Sequence, residues 1–128
     1  MYIKLFLVAF FVFLVIDMIW LALIAKKFYR KHLGFLMSPK VNWTAAIIFY
    51  VIFIIGIVVF VVTPALDKDS LSHALIYGAL FGFVTYATYD LTNLATLKNW
   101  PIVITIVDLI WGTVLATSVS VITFLIFS

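Results

Sequence analysis

The chain has 128 residues, 67% of them hydrophobic and only 10% charged, with a formal net charge of +3. Soluble domains are about half apolar and about a quarter charged, so a water-soluble fold of this size could not hide so much apolar surface, and one integral membrane domain is expected. Cysteine is absent, which excludes disulfides, thiolate metal sites and a cysteine nucleophile, and the basic excess lacks the stacking platform that nucleic-acid binding would need.

The first predicted helix covers about residues 2–25. At 1.5 Å per residue it is long enough to cross a hydrocarbon core of about 30 Å. Its apolar run is longer than that of a signal peptide and leads straight into Lys26-Lys27, so a retained span is expected. Residues 26–41 read as the main polar loop. Lys26, Lys27, Arg30, Lys31, His32 and Lys40 are interleaved there with Phe28, Tyr29, Leu33, Phe35, Leu36 and Met37. Two readings stand for this stretch: a short interfacial helix docking to anionic lipid and broken at Gly34 and Pro39, or a bare topology signal.

The second helix is expected over about residues 43–62, closed by Pro64. It holds no charge and is mostly Ile, Val and Phe, which suits a lipid-facing, supporting helix. Trp43 starts it and Trp100 precedes the fourth helix; both fit an aromatic belt at the headgroup level. The third helix is expected over about residues 71–94, capped by Ser70 or Asp69. Gly78 and Gly82 form a Gly-x-x-x-Gly pair, and Tyr86, Tyr89 and Asn93 continue that face. A homodimer through Gly78 and Gly82 is expected from this pair. His73 lies about 25 Å along the helix from Asp90 and is expected at an interface instead. The fourth helix is expected over about residues 101–127, with Thr105, Asp108, Gly112, Ala116 and Thr123 on an interior face.

The fold class that follows is all-α, an integral membrane four-helix bundle with both termini on one side. The stretches 26–41 and 95–100 hold six of the eight Lys and Arg residues. The positive-inside tendency then puts those stretches in the cytoplasm and both termini on the non-cytoplasmic side.

Asp17, Asp90 and Asp108 each interrupt an apolar helix. Counted from the basic end they lie at one level, about 10–13 Å in. A carboxylate at a helix centre costs about 2.5–3.5 kcal/mol on the insertion scale, and such residues tend to face a bundle interior and mark a site. No Lys or Arg shares their level. The remaining partners are a proton, a bound cation, or donors among Tyr86, Tyr89, Thr85, Thr88, Asn93, Thr105 and the Trp20 and Trp111 indoles. Close carboxylates cannot all carry charge together. The bland alternative is that neutral aspartates simply tie helices to one another. Trp20 and Trp111 each follow an aspartate by three residues, so each shares its face. With Phe6, Phe10 and Phe13 they are compatible with a cage for a cation or flat ligand, or with ordinary aromatic packing.

Asp17-Met18-Ile19-Trp20, the Asn42-Trp43 helix start, the run from Tyr77 to Asn93, and Asp108-Leu109-Ile110-Trp111-Gly112-Thr113 resemble the bacterial predicted membrane proteins of domain-of-unknown-function family 2177. The resemblance covers nearly the whole chain. It implies a four-helix, multi-pass protein of the bacterial inner membrane and carries no catalytic or binding residues with it.

Three functions are open. The first is binding or transport of a proton, a cation or a small cationic or lipophilic ligand by Asp17, Asp90, Asp108, Tyr86, Tyr89, Asn93, Trp20 and Trp111. The second is a membrane-embedded enzyme that modifies lipid, with two carboxylates dividing acid and base roles. The third is an accessory subunit whose acids pair with a partner's basic residues. Two distant histidines exclude a self-contained His-rich oxygenase centre. The residues identify no cofactor.

Overall fold

A computed structural model describes all 128 residues as four long helices and no strand: α1 (Tyr2–Leu33), α2 (Trp43–Asp67), α3 (Leu71–Thr96) and α4 (Ile102–Phe127). All four are long and apolar enough to cross a membrane. Because their number is even, both termini lie at one end of the bundle. Most of the basic residues gather at the other end.

Two helices run further than expected. α1 does not stop at residue 25 but continues to Leu33. The segment Lys26–Leu33 is itself amphipathic, and no breaker occurs before Gly34, so its lysines and arginine leave the apolar stripe without leaving the helix. α2 passes through Pro64 and ends at Asp67. A wide π-helical stretch, Val58–Val62, immediately precedes the proline. The wider turn makes room for a ring that would otherwise clash with a carbonyl four residues back. α1 holds a second such stretch, Leu21–Ala25, just before its basic end.

The starts of α2 and α3 are capped locally. Asn42 accepts a hydrogen bond from the Ala45 N–H at 3.1 Å, and Ser70 accepts one from the His73 N–H at 3.1 Å. The sharp reversals before α3 and α4 use Asp69 and Asn99, both at positive φ (48° and 62°), where short polar side chains are tolerated.

α2 is not merely a lipid-facing support. Phe53, Ile54, Ile57, Val58 and Val62 are buried and join Leu5, Ala9 and Phe13 of α1 and Leu115, Ala116 and Val119 of α4 in one core. α1 is the least enclosed of the four.

The closest helix pair is α3 with α4. A Cβ placed on Gly82 would collide with the Gly112 carbonyl oxygen and the Ala116 methyl. One on Gly112 would enter the Tyr86 ring, and one on Gly78 would sit 3.0 Å from the Ser120 side chain. The contacts Gly78–Ser120, Gly82–Ala116 and Tyr86–Gly112 climb one helix by fours while descending the other by fours. The next step of that ladder sets Asp90 against Asp108. Gly78 and Gly82 are therefore spent inside the chain on α4, and a second copy would have to use another face. In lipid, such shape-matched contact replaces the hydrophobic drive that holds helices together in water.

Gly82→Val is expected to destabilise the bundle by about 1–3 kcal/mol, because an added side chain has no free space and backbone must move. Reversible unfolding in detergent measures this. Wild-type stability for Gly82→Val would contradict the close approach of α3 and α4.

Candidate functional site

At the level of the acids, the four helices line a half-open cavity of about 520 Å³. α1 contributes Phe13, Asp17, Trp20, Leu21, Tyr29 and Leu33; α2 contributes Phe49 and Tyr50; α3 contributes Thr85, Tyr86 and Tyr89; Asp108 and Trp111 come from α4, and Trp100 from the turn before it. Asp17, Thr85 and Asp108 are the only polar members that are not aromatic, and no Lys, Arg or His lies on the wall. A second hollow of about 530 Å³, near the N-terminus, is lined by Tyr2, Ile3, Phe6 and four aliphatic residues. The two carboxylates are what set the first apart.

The three aspartates occupy one region but three environments. Asp90 is fully buried, and neither carboxyl oxygen finds a hydrogen-bond partner. It does not reach the cavity wall; the register of α3 on α4 sets it beside Asp108 with no hydrogen bond between the two carboxyls. Asp108 is nearly buried and accepts a hydrogen bond from the Tyr29 hydroxyl. Asp17 is half-buried, beside the Trp111 indole and within electrostatic reach of Tyr50 and Tyr86. Tyr86 is the hub: Asp17, Asp108 and Asp90 all lie within its electrostatic reach. The acids do not assemble into a three-ligand metal set.

Several donors named from sequence are used elsewhere. Thr85 and Thr88 donate to the carbonyls of Phe81 and Val84, at 2.6 and 2.7 Å, as threonines in membrane helices commonly do. Thr105 takes a hydrogen bond from the Trp100 indole at 3.1 Å and faces the Asp90 carbonyl, not its carboxyl. Asn93 lies beside Tyr89, one turn on, and stays off the wall. Trp20 and Trp111 stack on each other, with centroids 4.3 Å apart and planes at 8°. The stack uses one face of each ring and leaves no slot between them for a cation.

The structure adds residues that sequence reasoning left out. Tyr29, placed in a polar loop, points into the cavity because the helix continues. Its signal is the spacing of Tyr29 and Leu33, four apart on one face and turned away from Lys27 and Lys31. Tyr50 is the lone tyrosine in an otherwise aliphatic and phenylalanine-rich helix. Trp100, expected in the headgroup belt, is buried and turns inward; Trp43 is exposed. His73 stacks on Tyr77 at 4.2 Å with its Nε2 buried and unpartnered, far from the acids.

A profile of the family described as "Predicted membrane protein (DUF2177)" matches residues 2–125. No curated protein and no solved structure matches the chain.

The Trp20–Trp111 stack ties α1 to α4 next to the acids. A double-mutant cycle with Trp20→Leu and Trp111→Leu is expected to give a coupling of about 0.5–1.5 kcal/mol. Additive effects would show that the rings do not stack in the membrane.

Proposed function

The chain belongs to the DUF2177 family of predicted membrane proteins, and we propose that the cavity lies at bilayer depth and binds one small lipophilic ligand bearing a cationic group. The observation that carries this is a pair of wall carboxylates, Asp17 and Asp108, in an otherwise aromatic and aliphatic cavity with no basic residue. Its volume lies within the range of about 300–1,000 Å³ common for ligand sites. The carboxylates supply charge, and the open faces of the tyrosines and tryptophans favour a cation over an anion. Leu21, Phe49 and Tyr89 stand at the rim and are themselves exposed, which supports entry from the lipid. The basic-end orientation favours the cytoplasmic half of a bacterial inner membrane for this site.

Support is stronger for binding than for transport. Toward the other end lie the α3–α4 glycine contact and the core around Leu5, Phe53 and Leu115, and the hollow near the N-terminus holds no carboxylate that would continue a path. A second reading, a lipid-modifying enzyme, draws on the Asp90–Asp108 pair, in which one carboxyl could hold a proton while the other accepts one. The accessory-subunit reading draws less support. Without rearrangement, a partner's basic residue could reach only Asp17, because Asp90 is sealed and Asp108 is occupied by Tyr29.

Tetraphenylphosphonium, a lipophilic cation, is expected to bind the purified protein in nanodiscs. Asp17→Asn and Asp108→Asn should each weaken it about tenfold, equivalent to roughly 1.4 kcal/mol. Lys68→Gln, distant from the cavity, should leave it unchanged. Equal affinity in all variants would sink the proposal, and conversion of a lipid extract lost in Asp90→Asn would favour the enzyme.

A further inference from the structure

The basic end of α1 has two faces. Lys26, Lys27, Arg30 and Lys31 are exposed, whereas Tyr29 and Leu33 turn inward onto the cavity. This segment, Lys26–Leu33, is joined to the rest of α1 through the π-helical stretch Leu21–Ala25. Stretches of this kind loosen the regular hydrogen-bond ladder, mark places where helices bend, and recur at functional sites. Beyond that joint, the Tyr29 hydroxyl donates to Asp108 across 79 positions of sequence. The bond occupies a carboxylate that also lines the cavity.

We propose that Lys26–Leu33 is a lid over the cavity and that Tyr29 is its latch, competing with the ligand for Asp108 and so favouring ligands that bring a cation. The proposal rests on the cavity being a ligand site. Tyr29 holds one oxygen of the Asp108 carboxylate, Oδ1, and a cation that takes that same oxygen must displace the hydroxyl. A neutral lipophile brings no group that replaces the Tyr29 hydroxyl, so it gains nothing from opening the latch. The rest of the joint is built for movement: the four charges on the outer face already stand in solvent or among headgroups, and no apolar core residue of this segment is buried beyond the joint. Ligand entry therefore disturbs one hydrogen bond and the half-buried Phe28, Tyr29, His32 and Leu33 instead of the main core.

Two measurements on the full-length protein in nanodiscs test this. The first, without any probe, is amide hydrogen exchange of residues 26–33. Tyr29→Phe and Asp108→Asn are each expected to speed exchange there while leaving the centre of α3 and α4 unchanged. The second is binding of tetraphenylphosphonium and of its neutral counterpart, triphenylphosphine. Tyr29→Phe is expected to tighten the cation about tenfold, the scale of one lost charged hydrogen bond, and to change the neutral compound little. Unchanged exchange at residues 26–33 overturns the latch whether or not the probe binds. Faster exchange with weaker cation binding also overturns it, because Tyr29 would then be a ligand contact and not a competitor. Faster exchange with no probe bound by any variant leaves the lid standing and removes the cationic-ligand reading of the cavity.

Discussion

The close approach of α3 to α4 is the constraint on which the site depends. In a bilayer, lipid tails are as apolar as the helices, so the two helices are held by shape and dispersion. Gly78, Gly82 and Gly112 remove the side chains that would keep the backbones apart. Once they are seated, the register cannot slide gradually, because every neighbouring position carries a side chain. That register carries Asp90 to Asp108. A slip of one helical turn would leave Asp90 facing Gly112 or Ile104, and the acid pair would be lost. Packing in the glycine half of the bundle thus sets the chemistry in the other half.

The second constraint is the cost of placing carboxyl groups at apolar depth. A buried charge in such surroundings needs a donor or a counter-charge. The threonines that could donate are turned back onto their own helices. For Asp17 and Asp108 the tyrosine and tryptophan side chains fill that role, because a ring packs against lipid and helix while its polar edge still reaches an acid. Tyr29 donates to Asp108, the Trp111 indole lies beside Asp17, and Tyr86 stands among all three acids. The aromatic character of the cavity and the acidity of its wall are thus two sides of one solution. The same pairing of aromatic faces and carboxylates suits a lipophilic cation.

The helices differ in how firmly they are held. α2 and α4 supply most of the core, while α1 is packed on one side only and contains the π-helical stretch before its basic end. Regions with few buried apolar contacts open at lower free energy than the core. It follows that the part of the cavity wall made by Tyr29 and Leu33 is the part most easily displaced, and that the wall made by α3 and α4 is rigid.

Much of this was legible in the residues. Long apolar runs determine four spans, because a bilayer admits only backbone that satisfies its own hydrogen bonds. The position of each aspartate relative to the basic stretches determines their common level, because rise per residue is constant. The Gly-x-x-x-Gly pair determines that some helix comes close at Gly78 and Gly82. Which helix, and with what result, was decided by tertiary packing: α4 takes that face, so the pair serves the chain's own fold. Packing also decided that Asp90 is sealed while Asp17 and Asp108 face the cavity, and that Trp20 and Trp111 stack instead of standing apart. The basic stretch after residue 25 reads as a polar loop or as a short interfacial helix broken at Gly34, because charge density outweighs the inward spacing of Tyr29 and Leu33 when the chain is read alone; the helix forms, and it continues α1. Only when α4 offers Asp108 opposite does that spacing gain a partner. Composition and periodicity depend on neighbours along the chain and so determine spans and depth, whereas contacts between residues 79 positions apart depend on how helices rotate about their axes, which only the assembled bundle decides.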